Sequence, residues 1–410
     1  MEFTDRTDAL LAAARSFAPA DGGVSPDALA AALAPFLRRA FAITAPDAPG
    51  LHFVGAQLAV PGLPPLAVGG TGLDESEAIA SCLGEAFERL SQVDDGTIVR
   101  HGGPLPADLP DGLAAWLRAR APDPALLERA QDWLAVRALP AGDASVLPAD
   151  LCLRRPAARQ VFVPDLPLSS GCAAGPSRAV AELSALCELV ERDAAALWWH
   201  GGAPAAALAA ADQAVANETT AALRQRASGR RTWLLDITSD LGLPCVAALS
   251  CAPSGRGLAV GLAARPRRAA AIRAALLELG QMELALRLTR AKAAAEGEEG
   301  LNATEQGQIA RARAIDVRAC RILHPRRRPM SDESSYPVES GGFLEAARQR
   351  GAIVNPALYA LDLTRPAFGV AVVRLFAPGL AFPGARAPGE RLTAAIRKNG
   401  RSSVGKLPLL

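Results

Sequence analysis

The chain of 410 residues has no run of about 18 or more apolar residues, which excludes a transmembrane helix of ordinary length. Its start, MEFTDRTDALLAAARSF, lacks the basic and apolar regions of a secretory signal. The net charge is only +2, so bulk charge favours neither a nucleic acid nor a membrane as partner. From the missing membrane span and secretory signal we expect a cytoplasmic protein. Because half of the residues are hydrophobic, we also expect a sizeable core.

The cysteines lack the spacing that metal sites and redox sites use. They are odd in number, and no Cys-x-x-Cys pair occurs. Most of them lie in apolar runs, which predicts small buried side chains instead of disulfides or a zinc site. The seven positions are Cys82, Cys152, Cys172, Cys187, Cys245, Cys251 and Cys320.

The usual phosphate-binding motifs are also missing. No Gly-x-x-x-x-Gly-Lys-Ser/Thr occurs, and no Gly-x-Gly-x-x-Gly follows a predicted strand. Two glycine-rich turns, GGTG at 69–72 and SSGCAAG at 169–175, do precede predicted helices. Turns of this kind can offer backbone N–H groups to an anion, although glycine turns are also common punctuation.

The most informative feature is a repeated pattern, Ser-x-x-x-Glu-x-x-Glu-Arg. It begins at Ser81 in SCLGEAFER and at Ser184 in SALCELVER, and in each copy a glycine lies nine residues before the serine. Positions i, i+4 and i+7 share one face of a helix, so each copy presents a serine and two glutamates together. A single such face is ordinarily solvated and forms weak local ion pairs, but two matched copies favour a shared site.

A third predicted helix places Glu278 and Gln281 within an otherwise apolar segment, AAAIRAALLELGQ. A surface stripe explains these two residues equally well when they are taken alone, but a buried carboxylate requires compensation. Glutamates that converge from several helices would repel one another. Mg²⁺ is the natural counterion, because it prefers oxygen ligands and is commonly shared with the phosphates of a nucleotide.

Periodicity and turn residues predict an α+β fold in which strand–strand–helix units recur. Two stretches echo each other, LDITSDLGLPCVAAL at 235–249 and LDLTRPAFGVAVVRL at 361–375. We predict strands within 51–72, 144–168 and 233–264, and a surface loop over 325–342. Helices are predicted over 5–17, 25–42, 74–91, 111–137, 176–199, 204–228, 266–295, 302–320 and 343–351.

The segments GGTGLDESEAIASCLGEAFERLS, DLPLSSGCAAGPSRAVAELSALCELVERDAAALWW and AAAIRAALLELGQ together resemble the signature segments of the YcaO family. This resemblance covers about 50–380. It implies a YcaO-like catalytic domain at 46–380, an N-terminal helical segment at 1–45 and a C-terminal tail at 381–410. It also implies an ATP site between helices with Mg²⁺ held by glutamates.

Carried over by matching positions, the resemblance assigns roles to individual residues. The implied metal ligands are Glu85, Glu88, Glu188, Glu191 and Glu278. The implied nucleotide-binding residues are Ser81, Glu88, Ser184, Arg192 and Gln281. Arg89 and Arg192 are the implied catalytic residues, because a guanidinium can contact phosphate oxygens or orient a carboxylate.

YcaO enzymes use ATP to phosphorylate a backbone amide oxygen, which leaves as phosphate after a nucleophile adds to the amide carbon. The resemblance therefore implies a cyclodehydratase that forms thiazoline or oxazoline rings in a ribosomal precursor peptide. Many azoline-forming members end in alternating prolines, whereas this chain ends in GKLPLL. Thioamide formation with a TfuA-type partner thus remains an alternative, as does a catalytically silent nucleotide-binding scaffold.

The resemblance also bears on partners. About 45 residues before the catalytic region are too few for a full leader-recognition domain, so we expect a separate E1-like or TfuA-type partner protein. A homodimer is a further expectation, whereas nucleic acids and membranes are not expected partners.

Overall fold

A computed structural model describes residues 3–16, 24–96, 98, 100–129, 131–139, 141–227, 229–327, 342, 357–383 and 388–400. The predicted helix at 343–351 and almost all of the predicted loop at 325–342 lie outside these residues. Within them, no helix is both long enough and apolar enough to cross a membrane.

The described residues form ten α-helices, numbered α1–α10 in chain order, and four short 3₁₀ turns. The helices are Thr7–Ser16, Pro26–Leu33, Glu75–Ser91, Asp111–Arg120, Ala149–Cys152, Arg178–Trp199, Ala210–Arg224, Arg268–Glu296, Ala303–Ala314 and Glu390–Asn399. The 3₁₀ turns are Pro124–Glu128, Ala157–Arg159, Glu298–Gly300 and Arg321–Leu323.

The described residues also form thirteen strands, β1–β13, in three antiparallel sheets. The first sheet has the order β1-β2-β3-β4, the second β11-β10-β9, and the third β5-β6-β12-β13-β8 with β7 paired to β6. The strands are Phe3–Asp5, Leu37–Ile43, His52–Leu58, Leu66–Gly72, Arg100–Gly103, Gln131–Leu139, Ala144–Pro148, Cys172–Gly175, Arg231–Asp236, Cys245–Cys251, Ala259–Ala264, Leu358–Asp362 and Ala371–Phe376. The mixture of antiparallel sheets and helices confirms the predicted α+β class.

Each sheet ends in a strand that leads directly into a long helix. These pairs are β4 with α3, β8 with α6, and β11 with α8. Gly72 and Gly175 are the last residues of β4 and β8, and in both cases the helix begins three residues later. The Asp74 and Ser177 side chains cap the first two helices by accepting from backbone N–H groups. The repeated sequence pattern is therefore a repeated strand–helix unit.

The third unit repeats the spacing between strand and helix found in the first. The sequence analysis missed this relation. From strand start to helix start there are nine residues in both, from Leu66 to Glu75 and from Ala259 to Arg268. Under this correspondence Glu278 matches Glu85. The positions equivalent to Ser81 and Arg89 are Ala274 and Met282, so the motif itself is absent from the third copy.

The second sequence echo corresponds to two antiparallel hairpins, β9–β10 and β12–β13. At the end of the first strand in each, an aspartate accepts a hydrogen bond from the backbone two residues on, Asp236 from Thr238 at 2.8 Å and Asp362 from Thr364 at 2.9 Å. Both aspartates also pair with the arginine that begins a long helix: Asp236 with Arg268 of α8, and Asp362 with Arg178 of α6. The turn roles expected from the sequence echo are thus accompanied by ties to two of the long helices.

Several predicted helices were too long. Residues 37–42, predicted as the end of a helix, belong to β2, which pairs with β3, so the segment 1–45 is not purely helical. The predicted helix at 111–137 ends at Arg120, and strand β6 occupies 131–139. Strand β6 pairs with β5, β7 and β12, and this pairing in the sheet overrides the helix preference of the segment. The predicted helices at 204–228 and 302–320 are also shorter, at Ala210–Arg224 and Ala303–Ala314.

The cysteine prediction is confirmed, because all seven thiols are free. Six are buried and Cys320 is half-buried, and each packs in or against an apolar cluster. The division of the chain at residues 45 and 380 stays a prediction.

Close packing between β4 and α3 gives a testable prediction about Gly70. A Cβ atom at this position would lie 2.2 Å from both the Ala78 oxygen and the Cys82 nitrogen of α3. We therefore expect Gly70→Ala to lower the free energy of unfolding in urea by about 1–3 kcal/mol or more, because the strand and helix must separate. The matched control is Gly84→Ala on the same helix, where a Cβ meets nothing within 4 Å. This control should gain about 0.5–1 kcal/mol, and equal effects at both positions would contradict the packing.

Candidate nucleotide site

The three strand–helix units surround a cavity of about 500 Å³. Each unit contributes at least one acidic or amide side chain to its wall, so the repeated glutamate faces do converge. The lining residues are Phe53, Ala67, Val68, Gly69, Glu85, Glu88, Arg89, Ser169, Glu188, Arg192, Glu278 and Gln281.

In the first unit, the carboxylate of Glu85 is fixed from two sides. One oxygen accepts a hydrogen bond from the Gly69 backbone N–H at 2.8 Å. The other accepts from Arg89 one helical turn later, at 3.2 Å from Nε and 2.7 Å from Nη2. Gly69 belongs to the GGTG turn whose N–H groups were expected to meet an anion, and in this structure that anion is the chain's own glutamate.

The second unit repeats this arrangement around Glu188. One of its oxygens accepts from the Gly171 backbone N–H at 3.1 Å, and the other lies 3.5 Å from Arg192. Arg192 also lies 3.6 Å from Glu191, which is only 6% exposed. Arg192 therefore forms ion pairs with two carboxylates, whereas Arg89 forms one with Glu85.

The third unit supplies Glu278 without an arginine of its own on the next turn. Its carboxylate accepts from the Leu262 backbone N–H at 2.8 Å, in the position that matches the bond between Gly69 and Glu85. Glu88 crosses between units, because it accepts from Ala174 on β8 at 3.0 Å. The site is therefore built across the boundaries of the units and is not contained in any one of them.

The electrostatics of this cavity favour a bound cation. Burial, opposed by the hydrogen bond from Ala174 and helped by the charges of Glu188 and Glu85, raises the pKa of Glu88 to about 8. Burial also raises the pKa of Glu191 to about 8, and it raises the pKa of Glu188 and of Glu278. Once ionised, the five glutamates outnumber the two arginines that pair with them, Arg89 and Arg192.

For Arg192, in contrast, the surroundings favour the charged form of the side chain. Burial disfavours the charge of Arg192, but the carboxylates of Glu191, Glu188 and Glu278 outweigh it and raise the pKa of the guanidinium above its ordinary range. Arg192 is therefore charged whenever the glutamates are, and it partly offsets their repulsion.

Most of the predicted site residues meet at the cavity, and two do not. Seven of them line it, and Glu191 lies behind the wall in contact with Arg192. Ser81 and Ser184 are exposed and do not line the cavity, although each lies one turn before Glu85 or Glu188 on the same helix. Arg89 and Arg192 orient carboxylates here, which is one of the two functions expected of them.

These residues fit Mg²⁺ bound together with a nucleotide better than Mg²⁺ alone. In the described residues, no three histidine, cysteine or acidic side chains are arranged to hold a metal. Mg²⁺ does not require such a cage, because it is usually held by one or two carboxylates together with water and substrate phosphates. The excess negative charge from three helices is the observation that fits the ion.

Sequence reasoning missed several residues near the site. Phe53 and Ser169 line the cavity, and no motif marks either of them. Arg154 was also missed, although burial and the nearby Arg89 and Arg374 lower its pKa to about 10. Its Nε donates to Gln92 at 3.0 Å. These residues come from separate segments of the chain, so no local spacing could have predicted them.

Comparison with known families accounts for this geometry. The family model described as YcaO cyclodehydratase, ATP- and Mg²⁺-binding, matches residues 69–381, which is most of the chain. The chain therefore belongs to the YcaO family. Among curated protein sequences, none matches it.

Solved structures support the fold. A heterocyclase in complex with substrate and cofactor is 21% identical, with a TM-score of 0.70; all of this chain aligns, and it spans 59% of the heterocyclase chain. YcaO from Methanopyrus kandleri bound with AMPPCP and Mg²⁺ is 18% identical, with 84% of this chain and 86% of that one covered and a TM-score of 0.59. The E. coli microcin synthetase McbBCD complex is 15% identical, with coverage of 80% and 85% and a TM-score of 0.59.

The raised pKa values predict how stability depends on pH in the metal-free protein. Glu88 and Glu191 have pKa values of about 8 when folded, against an ordinary value of 4.5. Between these values the folded state holds more protons than the unfolded chain, so raising the pH from about 5 to 8 should destabilise the fold. Glu191→Gln should flatten this loss, as measured by urea unfolding in EDTA at several pH values.

The control for this experiment is Glu305→Gln. The pKa of Glu305 is lowered, chiefly by its hydrogen bond from Lys292, so it stays ionised throughout this pH range in both states. The control should keep the slope of the wild-type protein. A wild-type stability that rises between pH 5 and 8 would contradict the assignment of buried, repelling carboxylates.

Proposed function

We propose that this protein is an ATP-dependent cyclodehydratase that activates backbone amides of a ribosomally made precursor peptide. The observation that carries the proposal is the convergence of glutamates from three helices on one cavity, with more negative charge than the arginines there compensate. Membership of a family described as an ATP- and Mg²⁺-binding cyclodehydratase supports this reading.

Each residue has a proposed role. Glu85, Glu88, Glu188, Glu191 and Glu278 would hold Mg²⁺, which when bound would neutralise charge on the nucleotide phosphates. Ser81, Ser184 and Gln281 would donate hydrogen bonds to the nucleotide, because they lie on the same helices as these glutamates. Glu88 would also contact the nucleotide, as would Arg192, which has a catalytic role as well.

Arg89 and Arg192 would provide the charge stabilisation that phosphoryl transfer needs. Both guanidiniums are already oriented by Glu85 and Glu188, which reduces the reorganisation required during the reaction. Arg192 stays charged at any pH at which the enzyme works, since its pKa is raised. It can therefore act as a fixed positive charge beside the transferring group.

The chemistry follows from the stability of an amide. Resonance makes the amide carbon a poor electrophile and its oxygen a poor leaving group. Transfer of the terminal phosphoryl group of ATP to that oxygen would turn it into a leaving phosphate. A cysteine, serine or threonine side chain of the peptide would then add to the carbon and expel the phosphate. The side chain and the amide nitrogen would each give up a proton as the thiazoline or oxazoline ring closes.

Partners are part of the proposal. The McbBCD complex contains more than one kind of subunit, as its name states, and the heterocyclase structure holds a substrate. We propose that peptide recognition here requires a separate E1-like or TfuA-type protein. We also propose that the chain works in the cytoplasm and forms a homodimer. Full-rate turnover of a leader-containing peptide by the purified chain alone would contradict the partner requirement.

An oxygen-labelling experiment tests the reaction. The substrate amide is labelled with ¹⁸O, and the products are analysed after turnover with ATP and Mg²⁺. The label should appear in the released phosphate, with ADP as the other product. The peptide should lose about 18 Da per ring, which is the mass of the water lost when the amide oxygen is replaced.

Other outcomes separate the competing reactions. A gain of about 16 Da, with the label still in phosphate, would replace ring formation with sulfur exchange at the amide oxygen, the thioamide alternative. Unlabelled phosphate, or AMP with pyrophosphate, would contradict direct amide phosphorylation. The Glu278→Gln variant is the matched negative control, because it removes one proposed metal ligand with little change in volume.

A further inference from the structure

Arg374 on β13 is an unusual buried charge. It is only 1% exposed, and all the hydrogen bonds of its guanidinium within the described part of the chain go to backbone carbonyls. Burying a guanidinium without a carboxylate partner is costly, so such a residue ordinarily serves a specific purpose. Its Nη1 donates to Leu151 at 2.7 Å and to Cys152 at 3.2 Å, and the Phe376 ring lies 4.7 Å from the guanidinium carbon.

The remaining two hydrogen bonds hold the loop that precedes β8. Nε donates to the Ser170 carbonyl and Nη2 to the Pro167 carbonyl, both at 3.2 Å. The Leu375 N–H, next along β13, donates to the Gly171 carbonyl at 2.7 Å. Residues 167–171 are therefore fixed at three points by two adjacent residues of β13.

This loop forms part of the nucleotide site. Ser169 lines the cavity, and the Gly171 N–H donates to Glu188. Gly171 has a φ of +68°, and a Cβ there would lie 2.5 Å from the Leu375 oxygen, so the loop conformation depends on glycine and on close contact with β13. A shift of the loop would move the N–H that orients Glu188.

Arg374 also acts on Glu188 through its charge. Burial raises the pKa of Glu188, whereas Arg192, the Gly171 N–H and then Arg374 lower it. Arg374 is thus a second positive charge near this glutamate, on the side away from the open cavity.

We infer that Arg374 is a positioning residue for the nucleotide site, fixing the 167–171 loop so that Gly171 and Ser169 present Glu188 in its binding geometry. This inference rests on the proposed function, since it assigns Glu188 to the binding of Mg²⁺ with ATP. Arg374 lies in the echoed stretch 361–375, but it belongs to none of the glutamate segments and does not line the cavity.

Two variants disrupt the hydrogen bonds, one with the charge kept and one with the charge removed. Arg374→Lys keeps the charge, but an ammonium cannot reach the carbonyls of Leu151, Ser170 and Pro167 together. Arg374→Gln keeps two donors and removes the charge. Both should weaken Mg–ATP binding by about 10–100-fold, the range typical for residues that orient metal ligands. The readout is calorimetric titration of the metal-free protein with Mg²⁺ and a non-hydrolysable ATP analogue.

Arg155→Lys is the matched control for loss of a buried arginine. Arg155 is 5% exposed and binds Asp94 at 3.0 Å and Asp150 at 2.9 Å, on residues that do not line the cavity. This variant should lower the thermal midpoint and leave the nucleotide dissociation constant within about twofold of wild type. The stoichiometry of each titration reports the folded fraction, so affinity is read separately from stability.

A double-mutant cycle tests whether Arg374 acts through Glu188. In a Glu188→Gln background, Arg374→Lys should weaken binding by less than about threefold, because the group it positions is already lost. Equal losses in both backgrounds would overturn the inference. Unchanged affinity in folded Arg374 variants would overturn it too, and so would loss of the fold in both variants, since the residue would then serve the fold alone. Absence of Mg–ATP binding by the wild-type chain would instead overturn the proposed function.

Discussion

The burial of several carboxylates around one cavity is the constraint on which the rest of the structure depends. Glu88, Glu188, Glu191 and Glu278 approach one cavity, and burial raises the pKa of all four. The protein limits this cost with backbone N–H groups, one for each of three helices, and with arginines on the next turn. What remains uncompensated is the binding energy available to a divalent cation and its nucleotide.

The buried carboxylates are divided among three similar strand–helix units. Each sheet ends in a strand that leads into a glutamate helix, so three separate sheets carry the three helices to one point. Two of the helices are tied at their first residues by ion pairs, Arg178 with Asp362 and Arg268 with Asp236. Of these two ion pairs, the one between Arg268 and Asp236 is largely buried, whereas the one between Arg178 and Asp362 is exposed. In this fold the sheets set the positions of the three helices, and the helices carry the glutamates that converge on the cavity.

Sequence reasoning predicted the parts of the site that depend on local spacing. The i, i+4, i+7 pattern starting at Ser81 and Ser184 placed Glu85, Glu88, Glu188 and Glu191 correctly on helix faces, because helical periodicity is a property of the segment itself. It overextended the helix before β2, since residues 37–42 belong to a strand that pairs with β1 and β3, which local periodicity does not reveal.

The features it missed depend on distant contacts. The third unit lacks the serine and arginine of the motif, so only the shared nine-residue spacing from the start of the strand to the start of the helix reveals it. Arg374 has no sequence signal, because the carbonyls it binds lie more than 200 residues away along the chain.

The most direct test of this account is the location of the metal. Crystals of the metal-free chain soaked with Mn²⁺ and AMPPCP would reveal the ions by anomalous scattering, with Mn²⁺ standing in for Mg²⁺. We expect peaks within about 2.0–2.3 Å of carboxylate oxygens from at least two of the three helices, bridged to the phosphates of the nucleotide. Nucleotide bound in the cavity with no metal on these glutamates, or metal bound only elsewhere on the chain, would contradict the account.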